Sequence, residues 1–294
     1  MAFEALRDRL QTGATFLPDL PEETPDATLR ALWLLAAGEA VSAQRASGRE
    51  LPALCAEQQA RLEQLVEQRI QGTPLAHLTQ RQQFLGLEML CSGDALVPRK
   101  ETELLARTAI EHAEAIATEQ GSAHVIDVCT GAGNVALAIA HHVPKARVYG
   151  ADLSEPAVEL AKRNAHRLRL EHSAEFRAGD LLEPFRTEEF LGKVDVLTCN
   201  PPYISSGRVT TLPGQISTHE PRLAFDGGPF GISILMRLLN DAPAFVRPGG
   251  WLVFEVGAGQ GPAMIKRMQV NAAFRKVVPL NDEQGAIRAC SAQL

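Results

Sequence analysis

Five residues near the middle of the chain, Cys199-Asn200-Pro201-Pro202-Tyr203, combine types that suit a specific chemistry. Asn200 carries an amide that can accept and donate hydrogen bonds at once. Pro201 and Pro202 have no N–H and a fixed φ, so their turn is stiff and its main-chain polar groups are carbonyls. Tyr203 adds a flat face on which a planar group can stack. Together they suit a planar amine or amide whose N–H groups must be held and aimed. The plain alternative is a rigid turn at a strand end, because Asn-Pro is a common turn signal.

A second constellation, Asp127-Val128-Cys129-Thr130-Gly131-Ala132-Gly133, is glycine-rich and is followed by Asp152, 21 residues beyond Gly131. Glycines at such a turn let the backbone approach a ligand closely. Asp152 stands where a carboxylate can accept hydrogen bonds from a ribose diol. Gly131-x-Gly133-x-x-Ala136 matches the dinucleotide fingerprint, acidic residue included. It fits S-adenosylmethionine equally well, since that molecule has an adenosine ribose but no pyrophosphate. The 200–203 stretch separates the two. A nicotinamide enzyme needs a hydride partner and a proton-transfer residue, and no recognisable one is present. A methyltransferase needs an acceptor nitrogen held in line with a sulfonium methyl, which Asn200 to Tyr203 supply.

The elements that must position these residues follow from hydropathy. Val194 to Thr198 is an apolar run ending in two prolines, which reads as a buried strand whose chain turns out at its carboxyl edge. Ligands bind at that edge in open α/β sheets. From His124 onward, strand-like runs (His124–Val128, Ala146–Ala151, Ala174–Ala178, Trp251–Val256) alternate with helix-like segments. The alternation predicts an α/β, Rossmann-like, mostly parallel sheet with helices on both faces, over residues 99–294. Pro248-Gly249-Gly250 reads as a turn announcing the last of these strands. Residues 1–74 read as a small all-α domain, with Asp26 as the N-cap of an apolar helix and a second helix from Leu54 to Ile70. Residues 75–98 read as a short β-hairpin linker. Arg99 either faces a ligand or pairs with a carboxylate, and Glu101 and Glu103 complement the dipole of the helix that follows.

Composition narrows the function classes. The chain has 294 residues, is 45% hydrophobic and 22% charged, and carries a formal net charge of -6. That is an ordinary soluble composition, with no global basic field to attract nucleic acid or anionic membrane. No apolar run is long enough for a membrane span, and Glu4 and Asp8 interrupt the start, against a signal peptide. Five scattered cysteines, never in a Cys-x-x-Cys pair, point to reduced thiols in the cytoplasm. The eight histidines show no metal-ligand spacing, and no metal is expected.

The chain resembles the class I S-adenosylmethionine-dependent methyltransferases that methylate the glutamine side-chain amide of peptide-chain release factors. The resemblance covers roughly residues 70 to 294. Its most specific part is Asn200 to Ile204, continued by His219-Glu220-Pro221-Arg222-Leu223-Ala224-Phe225-Asp226-Gly227-Gly228 and Gly231. Val97-Pro98-Arg99 with Glu101-Thr102-Glu103, and Gly285-x-x-Arg288, also resemble that family. The family usually has Gly where this chain has Cys129, and an aromatic residue where it has Leu181. The resemblance implies that Asn200's oxygen and the Pro201 carbonyl accept the two hydrogens of a glutamine amide, with Pro202 stiffening the turn and Tyr203 stacking on the amide plane. It implies that Cys129, Thr130, Gly131, Ala132 and Gly133 line the methionine part of S-adenosylmethionine, that Asp152 holds the ribose, that Asp180 and Leu181 lie beside the adenine, and that Asn200 also touches the cofactor. A release factor is the implied protein partner, docked by the helical domain. A monomer that does not bind nucleic acid directly is expected. The competing readings are a glutamine of a ribosomal protein or another amide, adenine N6 of nucleic acid, and a non-catalytic protein that binds S-adenosylmethionine as a sensor.

Overall fold

The computed structural model describes residues 3–209 and 220–294. Residues 3–100 with Glu220 and Pro221 form one compact unit, and residues 101–209 with 222–294 form another.

In the first unit, helices Phe3–Gly13, Pro25–Ala36 and Ala56–Ile70 bury Leu6, Leu10, Leu29, Leu32, Leu62 and Val66 against one another. Thr24, not Asp26, caps the second of these: its side chain accepts from the Ala27 N–H at 3.1 Å. Pro25 occupies the first helical position, which its fixed φ favours, and so moves the helix start upstream of Asp26. Asp26 instead pairs with Arg30 one turn on, at 2.7 Å. Strands β1 (Arg81–Phe84) and β2 (Leu87–Leu90) form an antiparallel hairpin. Its two-residue turn, Leu85-Gly86, has positive φ at both positions (46° and 84°), as tight hairpins require. Arg99 takes the carboxylate option: it donates to both oxygens of buried Glu220 at 2.8 and 2.9 Å, and its Nε lies 3.4 Å from Asp19.

The second unit is built on a seven-stranded sheet. Its strands are β3 (Ala123–Val128), β4 (Ala146–Asp152), β5 (Ala174–Ala178), β6 (Val194–Cys199), β7 (Val246–Glu255), β8 (Lys276–Asn281) and β9 (Ile287–Gln293), in spatial order β5-β4-β3-β6-β7-β9-β8. The first five in that order are parallel, and β9 and β8 join antiparallel. β6 is buried at every position, as a central parallel strand should be. Pro248-Gly249-Gly250 is not a separate turn. It lies within β7 as an irregularity, where two steps along β6 from Val194 to Val196 face five along β7 from Val246 to Trp251. Helices flank the sheet; Thr102–Gln120 buries Leu105, Ala106, Ala109, Ala113 and Ile116 and stops at Gly121, φ 86°.

The chain builds β3, β4 and β5 outward in one direction, then returns to place β6 on the other side of β3. That reversal is a topological switch point, where adjacent loops part and open a crevice beyond the carboxyl ends of the strands.

Gly150, inside β4, has no room for a side chain: a Cβ there would sit 2.5 Å from the Phe176 ring and 3.0 Å from the Thr130 hydroxyl. Gly150→Ala should lower stability by about 1–3 kcal/mol. A chemical-denaturation midpoint equal to wild type would show that Phe176 can yield.

Candidate active site

Strand register decides which residues meet at the crevice. Val128 pairs with Ala151 on one side and with Cys199 on the other, and Cys199 pairs with Phe254. The next residue on each strand therefore forms a row along the carboxyl edge, Asp152, Cys129, Asn200 and Glu255. Neighbouring strands lie about 4.8 Å apart, so the row spans roughly 14 Å.

The glycine turn fixes one end of that row. Thr130 donates its hydroxyl to Asp127 at 2.6 Å, and Thr198 donates to the other Asp127 oxygen at 2.7 Å, which locks the ends of β3 and β6 together. Burial pushes the Asp127 carboxyl up to about 6 against the pull of those hydroxyls. Gly131 N–H donates to Asp152 Oδ2 at 2.8 Å, and Ser154 N–H donates to Oδ1 at 2.9 Å. Each Asp152 oxygen thus keeps a lone pair, and the side chain is only half-buried. Burial raises its carboxyl above the usual range, with the backbone amides pulling the other way. Ala132's carbonyl accepts from buried Asn164 at 3.0 Å, and Gly133, φ 83°, opens the helix Asn134–His142.

Two further residues assigned from the sequence, Cys129 and Leu181, both adopt left-handed backbone, with φ 57° and 49°. Glycine would occupy the first without strain, whereas Cys129 carries a Cβ there. Cys129 also lies against the buried thiol of Cys199, and burial with this neighbour pushes Cys199 well above its ordinary value. Leu181 is buried in the core of the unit, while Asp180 is held at the surface by Arg237 at 2.7 Å.

At Asn200, Nδ2 donates to the Thr102 hydroxyl oxygen at 3.1 Å. Pro201 is buried; Pro202 and Tyr203 are half-buried. The Tyr203 hydroxyl donates to Glu101 at 3.2 Å, and Glu101 is paired on its other oxygen with Arg288. Burial, with the charges of Glu255 and Glu101, raises the Tyr203 phenol well above its ordinary value. Gln260 clips the turn from behind: its Nε2 donates to the Tyr203 carbonyl at 3.0 Å and to the Gly231 carbonyl at 3.1 Å. Gly231, φ 70°, packs so closely that a Cβ would collide with that Tyr203 carbonyl. Ile204 exchanges backbone bonds with Phe225 and Gly227 at 2.9 and 2.8 Å, so the Gly-Gly segment braces the turn. His219 lies outside the described residues.

Sequence reasoning missed Glu255, Thr102 and Gln260 as site residues. Glu255 is fully buried beside Thr102 and Tyr203, and burial, with the charge of Glu101, pushes its carboxyl up to about 7 against the pull of Arg288. A glutamate ending a run as apolar as Trp251-Leu252-Val253-Phe254 was the available signal. For Gln260 it was the glycine-rich turn Gly257-Ala258-Gly259 after the same strand.

Cys129→Gly should stabilise the protein by about 1 kcal/mol through relief of the left-handed Cβ, read as a higher denaturation midpoint. An unchanged or lower midpoint would mean that contact with Cys199 outweighs the strain. For Glu255 the folded-state value lies above the unfolded one. Its favourable contribution is full below about pH 4.5 and disappears as pH rises through about 7. The melting temperature of wild type relative to Glu255→Gln should therefore fall between about pH 5 and pH 8. A constant difference across that range would contradict the assignment.

A family model described as "Methyltransferase small domain" matches residues 102–219. The release factor glutamine methyltransferase of Moorella thermoacetica is 36% identical over 225 residues, covering 76% of each chain. The release factor glutamine methyltransferase of Xylella fastidiosa is 40% identical over 200 residues, 68% of this chain and 69% of that one. Among solved structures, the hMettl16 catalytic domain in complex with a 3′UTR hairpin superposes with a TM-score of 0.53 at 16% identity, over 71% of this chain and 76% of that one. That likeness shows the shared Rossmann-like methyltransferase fold. The extent and identity of the two bacterial matches settle the kinship: this chain belongs to the release factor glutamine methyltransferase family.

Proposed function

We propose that this protein transfers a methyl group from S-adenosylmethionine to the side-chain amide nitrogen, N5, of a glutamine in a peptide-chain release factor. The observation that carries this reading is the edge row, which sets a ribose-type acceptor, Asp152, two strands from an amide-type clamp, Asn200, across the switch point.

The residues present suit the cofactor. Asp152 keeps one lone pair on each oxygen for a ribose diol, and the glycine turn from Cys129 to Gly133 gives backbone a close approach to the methionine portion. Adenine would lie beside Asp180 and Leu181. When bound, S-adenosylmethionine supplies an electrophilic methyl on a sulfonium, a good leaving group that needs no proton to depart.

Orientation is then the protein's task. An amide nitrogen is a poor nucleophile because its lone pair is delocalised into the carbonyl. Asn200 Oδ1 and the Pro201 carbonyl would accept the two amide hydrogens, and Tyr203 would stack on the amide plane. Holding reacting atoms about 3–3.5 Å apart accounts for roughly 7–11 kcal/mol of a barrier. Pro201, Pro202 and the Gln260 clip keep this frame from relaxing.

We assign docking of the release factor to the helical unit at the N-terminus. The enzyme acts as a monomer, on protein rather than nucleic acid, in keeping with the net charge of -6. A cytoplasmic location is supported by five cysteines that are all free. No helix among the described residues is long and apolar enough to cross a membrane.

Release factors incubated with the protein and isotope-labelled S-adenosylmethionine should gain one methyl on a glutamine amide, located by peptide mass spectrometry. Labelling of a ribosomal protein instead, or of RNA, would overturn the acceptor. Asp152→Ala should weaken S-adenosylhomocysteine binding at least tenfold (about 1.4 kcal/mol) by calorimetry. Unchanged binding would reduce Asp152 to a structural brace for Gly131.

A further inference from the structure

The amide of Asn200 can clamp a donor group only in one of its two orientations. With Oδ1 outward it accepts from an –NH2 acceptor substrate; with Nδ2 outward it opposes one N–H with another. Asn200 cannot set this choice alone, because the two ends of an amide have nearly the same shape. Something behind it has to.

Two side chains stand behind it. Thr102, at the first position of helix Thr102–Gln120, meets Asn200 through Nδ2 at 3.1 Å. Glu255 occupies the place beside Asn200 on the edge row, since Cys199 pairs with Phe254. Its side chain is fully buried, and its Oε2 has no hydrogen-bond partner. The charged groups that face it are Glu101 and Arg288, and the uncharged polar ones are Thr102 and Tyr203.

We infer that Thr102 and Glu255 are positioning residues that set the polarity of Asn200: the Thr102 hydroxyl gives its single proton to Glu255, so its oxygen can only accept, and Asn200 must turn Nδ2 inward and Oδ1 toward the acceptor amide. A threonine hydroxyl has one proton to give, and a buried carboxylate is a stronger acceptor for it than an amide oxygen. Tyr203 obeys the same limit. Its one proton goes to Glu101, which also pairs with Arg288, so Tyr203 does not compete for the Thr102 hydroxyl. Burial, with the neighbouring charge of Glu101, raises the Glu255 carboxyl to about 7.

This inference rests on the methyl-transfer reading for its catalytic consequence, but not for the orientation itself. Two arms separate them, both on the full-length protein. The first is NMR of the Asn200 side-chain amide. In wild type and Thr102→Ser, one Nδ2 proton should exchange slowly with solvent. In Thr102→Val, which keeps the shape and removes the hydroxyl, and in Glu255→Leu, that protection should be lost. Protection that survives in Thr102→Val would overturn the proposal. The second arm is kinetic. Thr102→Val should lower kcat about 10–100-fold while S-adenosylhomocysteine affinity and the KM for the acceptor stay within about threefold. Thr102→Ser should restore kcat to within about threefold of wild type. Equal losses in Thr102→Ser and Thr102→Val would reduce Thr102 to packing and overturn the proposal. Failure of wild type to methylate any release-factor glutamine would sink the proposed function, while the NMR arm would still decide the orientation.

Discussion

Everything chemical in this protein depends on the register of four parallel strands. Backbone hydrogen bonding aligns Ala151, Val128, Cys199 and Phe254, and so puts Asp152, Cys129, Asn200 and Glu255 in one line at the carboxyl edge. A slip of one residue on any strand would turn its edge residue to the opposite face of the sheet. The slip is prevented by burial, since β6 hides every side chain from Val194 to Cys199, and by the Asp127 carboxyl, which ties Thr130 to Thr198 across the strand pair. Asp127 thus serves the site without facing a ligand.

Around that line the chain is braced by pairs whose members are far apart in sequence. Glu101 meets Arg288 across 187 residues; within the first unit, taken by itself, Arg99 meets Glu220 across 121. Gln260 clips the Tyr203 turn, and Gly231 allows the neighbouring backbone to press on it. Family motifs that look unrelated in the sequence are halves of contacts. The Arg-x-Glu-Thr start of the long helix supplies one partner to the Glu-Pro segment, one to the closing Arg, and one to Asn200.

Much of this was legible from residues alone. The repeated β-α pattern, the strand ending at Asn200, the glycine turn and Asp152 all announce themselves through hydropathy and spacing, which are local properties. What was not legible depends on pairing between distant segments. Glu255 reads as an odd charge in a strand until register sets it next to Asn200. Thr102 reads as one residue of a helix start until it faces the same amide. Asp26 looked like a cap because Asp is a good one, yet Pro25 had already started the helix and left the role to Thr24. The antiparallel β8 and β9 escaped because Pro279 and polar residues interrupt the apolar pattern, which an edge strand tolerates.

The proposed mechanism makes one central claim, that Asn200 orients a poor nucleophile and does little else. The direct measurement is single-turnover methyl transfer by Asn200→Ala on a release factor, with S-adenosylhomocysteine binding measured on the same sample. The account predicts that transfer falls at least about a hundredfold while binding changes by no more than about threefold. Near-wild-type turnover in that variant would contradict it.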